Sequence, residues 1–219
     1  MKIKQHLPSI FTLINLFLGF LAIINTMAGD YVVACYIILA AGAFDSVDGK
    51  IARLIGISTN FGKEIDSLAD MVSFCLAPSI LVYSLYTQNM PGISGELIAC
   101  APLIIGAIRL ARFNTDVGDE NSAYFTGLPT PMNALSIASL VLFIEHFKID
   151  NPEYSQPRLL LPLILSLSYL MVSRVHYAQF PLLNFNSGKQ NTLRLLGIVL
   201  FGITFIGAIF FGYSYRVLA

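Results

Sequence analysis

The segment DSVDGKIARLIGISTNFGKEIDSLAD, residues 45–70, decides how this chain is read. Asp45 and Asp48 stand at i and i+3, and Asp66 and Asp70 at i and i+4. On helices each pair shares one face. The segment is flanked by apolar runs, Tyr31 to Phe44 before it and Met71 to Tyr86 after it. Both runs fall short of the roughly 20 residues that cross a bilayer. They reach that length only if the first continues to about Leu54 and the second begins near Phe61, which forces the carboxylates inside membrane helices.

A carboxylate in that setting is expensive and marks a functional site by default. With the first helix running inward to about Arg53 and the second starting back near Gly62, the helical rise sets Asp48 and Asp66 at similar shallow depths, roughly 6 to 8 Å in. Asp45 and Asp70 then lie opposite each other, deeper. An oxygen-only cluster of this kind suits hard divalent cations such as Mg2+ or Mn2+, completed by waters and substrate phosphates. Since no Cys or His joins the cluster, the pattern speaks against zinc.

The rest of the chain agrees with a membrane setting. Of 219 residues, 56% are hydrophobic and 12% charged, and the mean hydropathy is +0.72. These values exclude an ordinary water-soluble domain. Further apolar runs cover Ile10 to Ala28, Leu97 to Phe113, Met132 to Phe147, Leu159 to Ser173 and Leu195 to Tyr213. The expectation is one polytopic all-α membrane domain over 1–219, with seven spans.

A cytoplasmic amino terminus then places Lys2, Lys4, Lys50, Arg53, Lys63, Arg109, Arg112, Arg174, Lys189 and Arg194 on the cytoplasmic side. Lys148, Arg158 and Arg216 fall outside, an asymmetry that fixes the expected orientation. The acidic cluster then opens to the cytoplasm, in what is expected to be a prokaryotic cell membrane. A cleaved signal peptide is the alternative for the first run, but no small-residue cleavage site follows it.

Cys35, Cys75 and Cys100 are odd in number and lie in apolar runs, so they read as core residues and not as a disulfide framework. His6, His146 and His176 share no metal-like spacing and read as interfacial. Nucleic-acid binding has no support: the net charge is zero and no basic run occurs. Of the connectors, Thr115 to Thr130 alone is long and polar enough to suggest a functional loop.

Read in full, the segment is Asp45, two residues, Asp48-Gly49, two residues, Ala52-Arg53, eight residues, Gly62, three residues, Asp66, three residues, Asp70. This resembles the signature of the CDP-alcohol phosphotransferase family, with every fixed position filled. The resemblance implies a six-helix catalytic core, about 8–175 here, usually homodimeric. It also implies two divalent cations per site and transfer of a phosphatidyl-type group from a CDP-linked lipid to an alcohol, with release of CMP. The run near 192–214 would be an accessory carboxy-terminal helix.

By the family's pattern Asp45, Asp48, Asp66 and Asp70 are metal ligands, and Asp70 is also the general base for the incoming hydroxyl. Gly49, Ala52, Arg53 and Gly62 fall on the nucleotide and pyrophosphate side. Small Gly49 leaves room near the helix backbone, and Arg53 can hold a phosphate bidentately. Thr12 and Asn15, three apart on the first helix, resemble the family's polar positions near the nucleotide.

Two segments bear on the acceptor. Arg109-Leu110-Ala111-Arg112-Phe113-Asn114 and Phe125-Thr126-Gly127-Leu128-Pro129-Thr130-Pro131 resemble the corresponding stretches of bacterial and archaeal phosphatidylserine synthases. That implies CDP-diacylglycerol and L-serine as substrates, with Arg109, Arg112, Asn114 and Thr126 as acceptor residues. Asn133 is a further polar contact. Arg109, preceded by a long apolar stretch, needs a partner or an anionic ligand at its depth. Other acceptors within the family (glycerol phosphate, inositol phosphate, an amino alcohol) are the nearest alternative. A cation transporter is the alternative from another class, though neither broken helices nor an inverted repeat is evident.

Overall fold

In the computed structural model of the chain the apolar runs become helical rods, and residues 10–55, 60–115, 124–150 and 160–178 are described. Helix α1 spans Ile10–Ala28 and α2 Tyr31–Ile55, joined at Gly29, whose φ of 88° lets the chain reverse within two residues. The third rod begins as α3, Asn60–Asp70, and passes through a π-helical segment, Met71–Leu76. It then continues as α4, Ala77–Val82, and ends in a second π-helical segment, Tyr83–Thr87. Helices α5 (Ser94–Ala99) and α6 (Ala101–Thr115) form the fourth rod, α7 (Thr130–Asp150) the fifth and α8 (Leu160–Val172) the sixth. The accessory helix expected near 192–214 lies outside the described residues.

Among the described residues, four helical stretches are long and apolar enough to cross a membrane: Ile10–Ala28, Phe61–Thr87, Ser94–Thr115 and Thr130–Phe147. Tyr31–Ser46 and Leu160–Val172 are apolar but shorter. Asp66 and Asp70 therefore lie within a spanning stretch, and Asp45 lies near the end of α2's apolar part.

The first π-helical segment has a cause in the sequence. Pro78 has no N–H to give the carbonyl one turn back, and its ring crowds that turn. The ladder widens just before it, with the Ala77 N–H bonding the Val72 carbonyl five residues back. Such bulges occur frequently at functional sites. This one starts at the residue after Asp70, and it turns Ser73, Phe74 and Cys75 into the interior.

The core is built from small residues at helix crossings and larger ones between them. Ala22, Ala34, Ala41, Ala77, Ala134 and Ala138 are fully buried, and Phe74, Ile38, Leu81, Ile137 and Ile164 fill the spaces. Small side chains let backbones approach closely, the usual packing mode where lipid removes the hydrophobic drive between helices. Phe17, Phe20, Tyr36, Leu97, Ile104 and Tyr169 point outward, as suits a lipid-facing surface. Thr26, Ser136, Ser166 and Ser168 bond carbonyls four residues back on their own helices at 2.7–2.8 Å, removing the need for a partner elsewhere.

The all-α expectation holds for the spanning elements but not for the connector before α7. There β1, Tyr124–Thr126, pairs antiparallel with β2, His176–Ala178, after α8. The pair continues into α7's approach: the Gly127 N–H donates to the Val175 carbonyl at 2.8 Å and the Leu128 N–H to the Leu170 carbonyl at 2.9 Å. Gly127 has φ 79° and packs against the Met171 carbonyl, leaving no room for a side chain. Three residues per strand are too few for an alternating pattern to show in the sequence.

Candidate active site

Asp45 on α2 and Asp66 and Asp70 on α3 come together, each offering a carboxylate oxygen within 4.8 Å of the others. All three are half-buried. Asp48, Gly49, Ala52 and Arg53 continue α2 beyond Asp45, but their side chains lie outside the described residues, as does that of Thr126 in β1. Gly62 opens the first turn of α3, half-buried, four residues before Asp66. Close approach of α2 to α7 one turn before Asp45 depends on Gly42, where a Cβ would come within 3.0 Å of Leu135.

Three hard oxygen donors at this separation fit a divalent cation. Left alone, three carboxylates this close would repel each other, so the donor set fits the cations that the sequence pattern implies.

Asp70 is held by α1. Asn15 Nδ2 donates to Asp70 Oδ1 at 3.3 Å, and Ser73 Oγ donates to the Asn15 carbonyl oxygen at 2.8 Å. Gly19, one turn beyond Asn15, receives Ser73 against its bare Cα. Asn15 and Thr12 are both buried, and Asn15 Oδ1 has no hydrogen-bond partner among the described residues. The two first-helix residues expected near the nucleotide thus sit in the helix interface, with Asn15 bonded to a carboxylate of the acidic cluster itself. Ser73 was not singled out by sequence reasoning; its spacing of three from Asp70 was the available signal.

Arg109 on α6 lies within electrostatic reach of Asp70 and Cys75. Its Nε is buried with no hydrogen-bond acceptor among the described residues. Gly106, one turn earlier, lets α6 lie against Cys75, since a Cβ there would strike the sulfur. Near the end of α6 Arg112 is exposed, whereas Asn114 bridges back to α3. Its Nδ2 lies 3.0 Å from Ser67 Oγ and 3.4 Å from Glu64 Oε2. Arg109 therefore lies within electrostatic reach of the cluster without an ion pair to it among the described residues, while Asn114 ties α3 and α6 together. His146 is exposed near the end of α7, and His176 stands in β2, pairing with Thr126.

A family model for CDP-alcohol phosphatidyltransferases matches residues 5–177. A Helicobacter pylori protein named CDP-diacylglycerol--serine O-phosphatidyltransferase is 36% identical over 181 residues, covering 82% of this chain and 74% of its own length. A Bacillus subtilis protein of the same name is 33% identical over 190 residues, covering 85% of this chain and 99% of its own. A Methanothermobacter thermautotrophicus protein named archaetidylserine synthase is 36% identical over 175 residues, covering 78% and 69%. With the aspartate signature, the clustered carboxylates and the match over most of its length, this chain belongs to the CDP-alcohol phosphatidyltransferase family.

Proposed function

We propose that the chain is a phosphatidylserine synthase, transferring the phosphatidyl group of CDP-diacylglycerol to the hydroxyl of L-serine and releasing CMP. The observation that carries the chemistry is the convergence of Asp45, Asp66 and Asp70 within 4.8 Å, with Arg109 within electrostatic reach of Asp70. The serine acceptor rests on the bacterial and archaeal relatives, whose names describe serine-dependent transfer.

In this reading the serine hydroxyl oxygen forms the new bond to the lipid-bearing phosphorus, the bond from that phosphorus to the CMP oxygen breaks, and the hydroxyl proton passes to Asp70. Mg2+ or Mn2+, two per site, held by Asp45, Asp48, Asp66 and Asp70, supplies charge neutralisation at the pyrophosphate when bound. Asn15 keeps one Asp70 oxygen engaged at 3.3 Å, directing the other toward the incoming hydroxyl. The nucleotide side is formed by Gly49, Ala52, Arg53, Gly62, Thr12 and Asn15. On the acceptor side Arg109 meets the serine carboxylate, and Arg112, Asn114 and Thr126 stand nearer the entrance. The working form is a homodimer in a prokaryotic cell membrane, amino terminus and active site facing the cytoplasm. Its excess of Lys and Arg on that side supports the orientation.

The test is CMP release by purified protein with CDP-diacylglycerol and Mg2+ or Mn2+, comparing L-serine, glycerol 3-phosphate, inositol phosphate and no acceptor. Serine-dependent release is expected, and Asp70→Asn should lower it by at least about 100-fold, the scale of a lost general base. Release with a different acceptor would overturn the serine assignment. Full activity of Asp70→Asn would overturn the base.

A further inference from the structure

Hydroxyls in this bundle mostly satisfy themselves on their own helices, as Thr26, Ser136, Ser166 and Ser168 do. Thr130 and Asn133, at the start of α7, break that habit. Thr130 is 1% exposed and Asn133 fully buried, yet among the described residues Thr130 Oγ1 and both Asn133 amide atoms have no hydrogen-bond partner. Buried polar side chains almost always have partners, so three orphaned atoms within one helical turn need a reason. Helix capping is not it: the Asn133 N–H, which a capping Thr130 hydroxyl would accept, goes to the Pro129 carbonyl at 3.1 Å.

Their place in the fold supplies one. Thr130 stands against Gly106, where an added Cβ would lie 3.7 Å from its methyl group and would also strike the Cys75 sulfur. Cys75 lies in the π-helical segment that follows Asp70. Arg109, three residues beyond Gly106 and so on the same face of α6, carries the orphaned Nε and lies within electrostatic reach of Asp70. Asn133 shares the face of α7 that Thr130 presents.

We propose that Thr130, Asn133 and Arg109 form the acceptor seat, and that its ligand is a small zwitterionic hydroxy amino acid; this rests on the serine reading above. Arg109 takes the carboxylate, as a guanidinium fork does well. The ammonium is received by Asn133 Oδ1 and Thr130 Oγ1, leaving the hydroxyl directed at Asp70. An amino alcohol without a carboxylate would leave Arg109 unpaired. A phosphorylated acceptor would call for more cationic donors than Arg109 alone.

Thr130→Val and Asn133→Leu, each removing polar atoms at nearly constant shape, test the seat in the purified full chain with CDP-diacylglycerol and Mn2+. Each should raise the KM for L-serine about tenfold or more, the scale of a lost bond to a charged group. The KM for CDP-diacylglycerol should stay within about twofold, and thermal stability should hold or rise, because no buried partner is orphaned by either change. An unchanged serine KM in Thr130→Val, with wild-type protein active on serine, overturns the seat and leaves these groups holding a structural water. If Asn133→Leu fails to fold, Thr130→Val alone decides. Wild-type release of CMP only with another acceptor would instead overturn the serine reading and the amino-acid seat together.

Discussion

Substituting Gly19 by alanine should disable the enzyme from a position that touches no substrate. An alanine Cβ there would meet Ser73 Oγ and would lie 2.7 Å from Ser73 Cα and 3.0 Å from Ser73 Cβ. Ordinary carbon contacts are about 3.5–4.0 Å, so α1 must withdraw from the π-helical segment by about 1 Å. The hydroxyl alone could rotate away, but the Cα cannot. The withdrawal stretches the 2.8 Å bond from Ser73 to the Asn15 carbonyl and the 3.3 Å bond from Asn15 to Asp70, both of which bridge that gap. Overpacking of this kind costs about 1–3 kcal/mol in stability, and a misplacement of about 1 Å in a reacting group can cost roughly 100-fold in rate. The assay is serine-dependent CMP release at saturating substrates, with a thermal melt alongside. Gly19→Ala should fold, melt lower and lose about 100-fold in kcat. Adding Ser73→Ala should restore only part of the loss, because the backbone contact at 2.7 Å remains. Activity within about threefold of wild type in Gly19→Ala would refute the idea that α1 sets the position of Asp70, given that scale.

Removing divalent cations with a chelator should abolish CMP release, with Mg2+ or Mn2+ restoring it. Asp66→Asn should raise the metal concentration needed by at least about tenfold, as a metal titration of the rate would read. Gly127→Ala combines a φ of 79° with a collision against the Met171 carbonyl and should destabilise the fold by about 1–3 kcal/mol, visible as a lower unfolding temperature. Asn114→Ala removes exposed bonds to Ser67 and Glu64 and should cost under about 1 kcal/mol of stability. A serine KM raised more than about tenfold in that variant would mean that Asn114 reaches the acceptor directly.

Much of the site was legible because helical spacing is rigid. The i, i+4 pair Asp66 and Asp70, together with the need of two short apolar runs to extend toward each other, was enough to oppose Asp45 to Asp70. Arg109 was legible for a similar reason, since a guanidinium so far along an apolar helix demands a counterpart. The π-helical segment was not, because period-based reading assumes 3.6 residues per turn; Pro78 was the sole cue. Nor could sequence show that Asn114 bonds α3 some 50 residues away, or that two three-residue strands meet across α7 and α8. Thr130 and Asn133 looked like ordinary polar residues after Pro129. Only burial without partners sets them apart.

The strand pair also bears on the order in which the enzyme can be assembled as it is made. Asp45, Asp66 and Asp70 lie in the first third of the chain, on α2 and α3. The entry of α7, however, is pinned from behind: Gly127 and Leu128 bond to Val175 and Leu170, and β1 pairs with residues 176–178. A nascent chain stopped before α8 therefore lacks these backbone bonds, and the start of α7 is left with the packing of Thr130 against Gly106. Insertion of the sixth rod is thus the step that completes the backbone frame around the entry of α7.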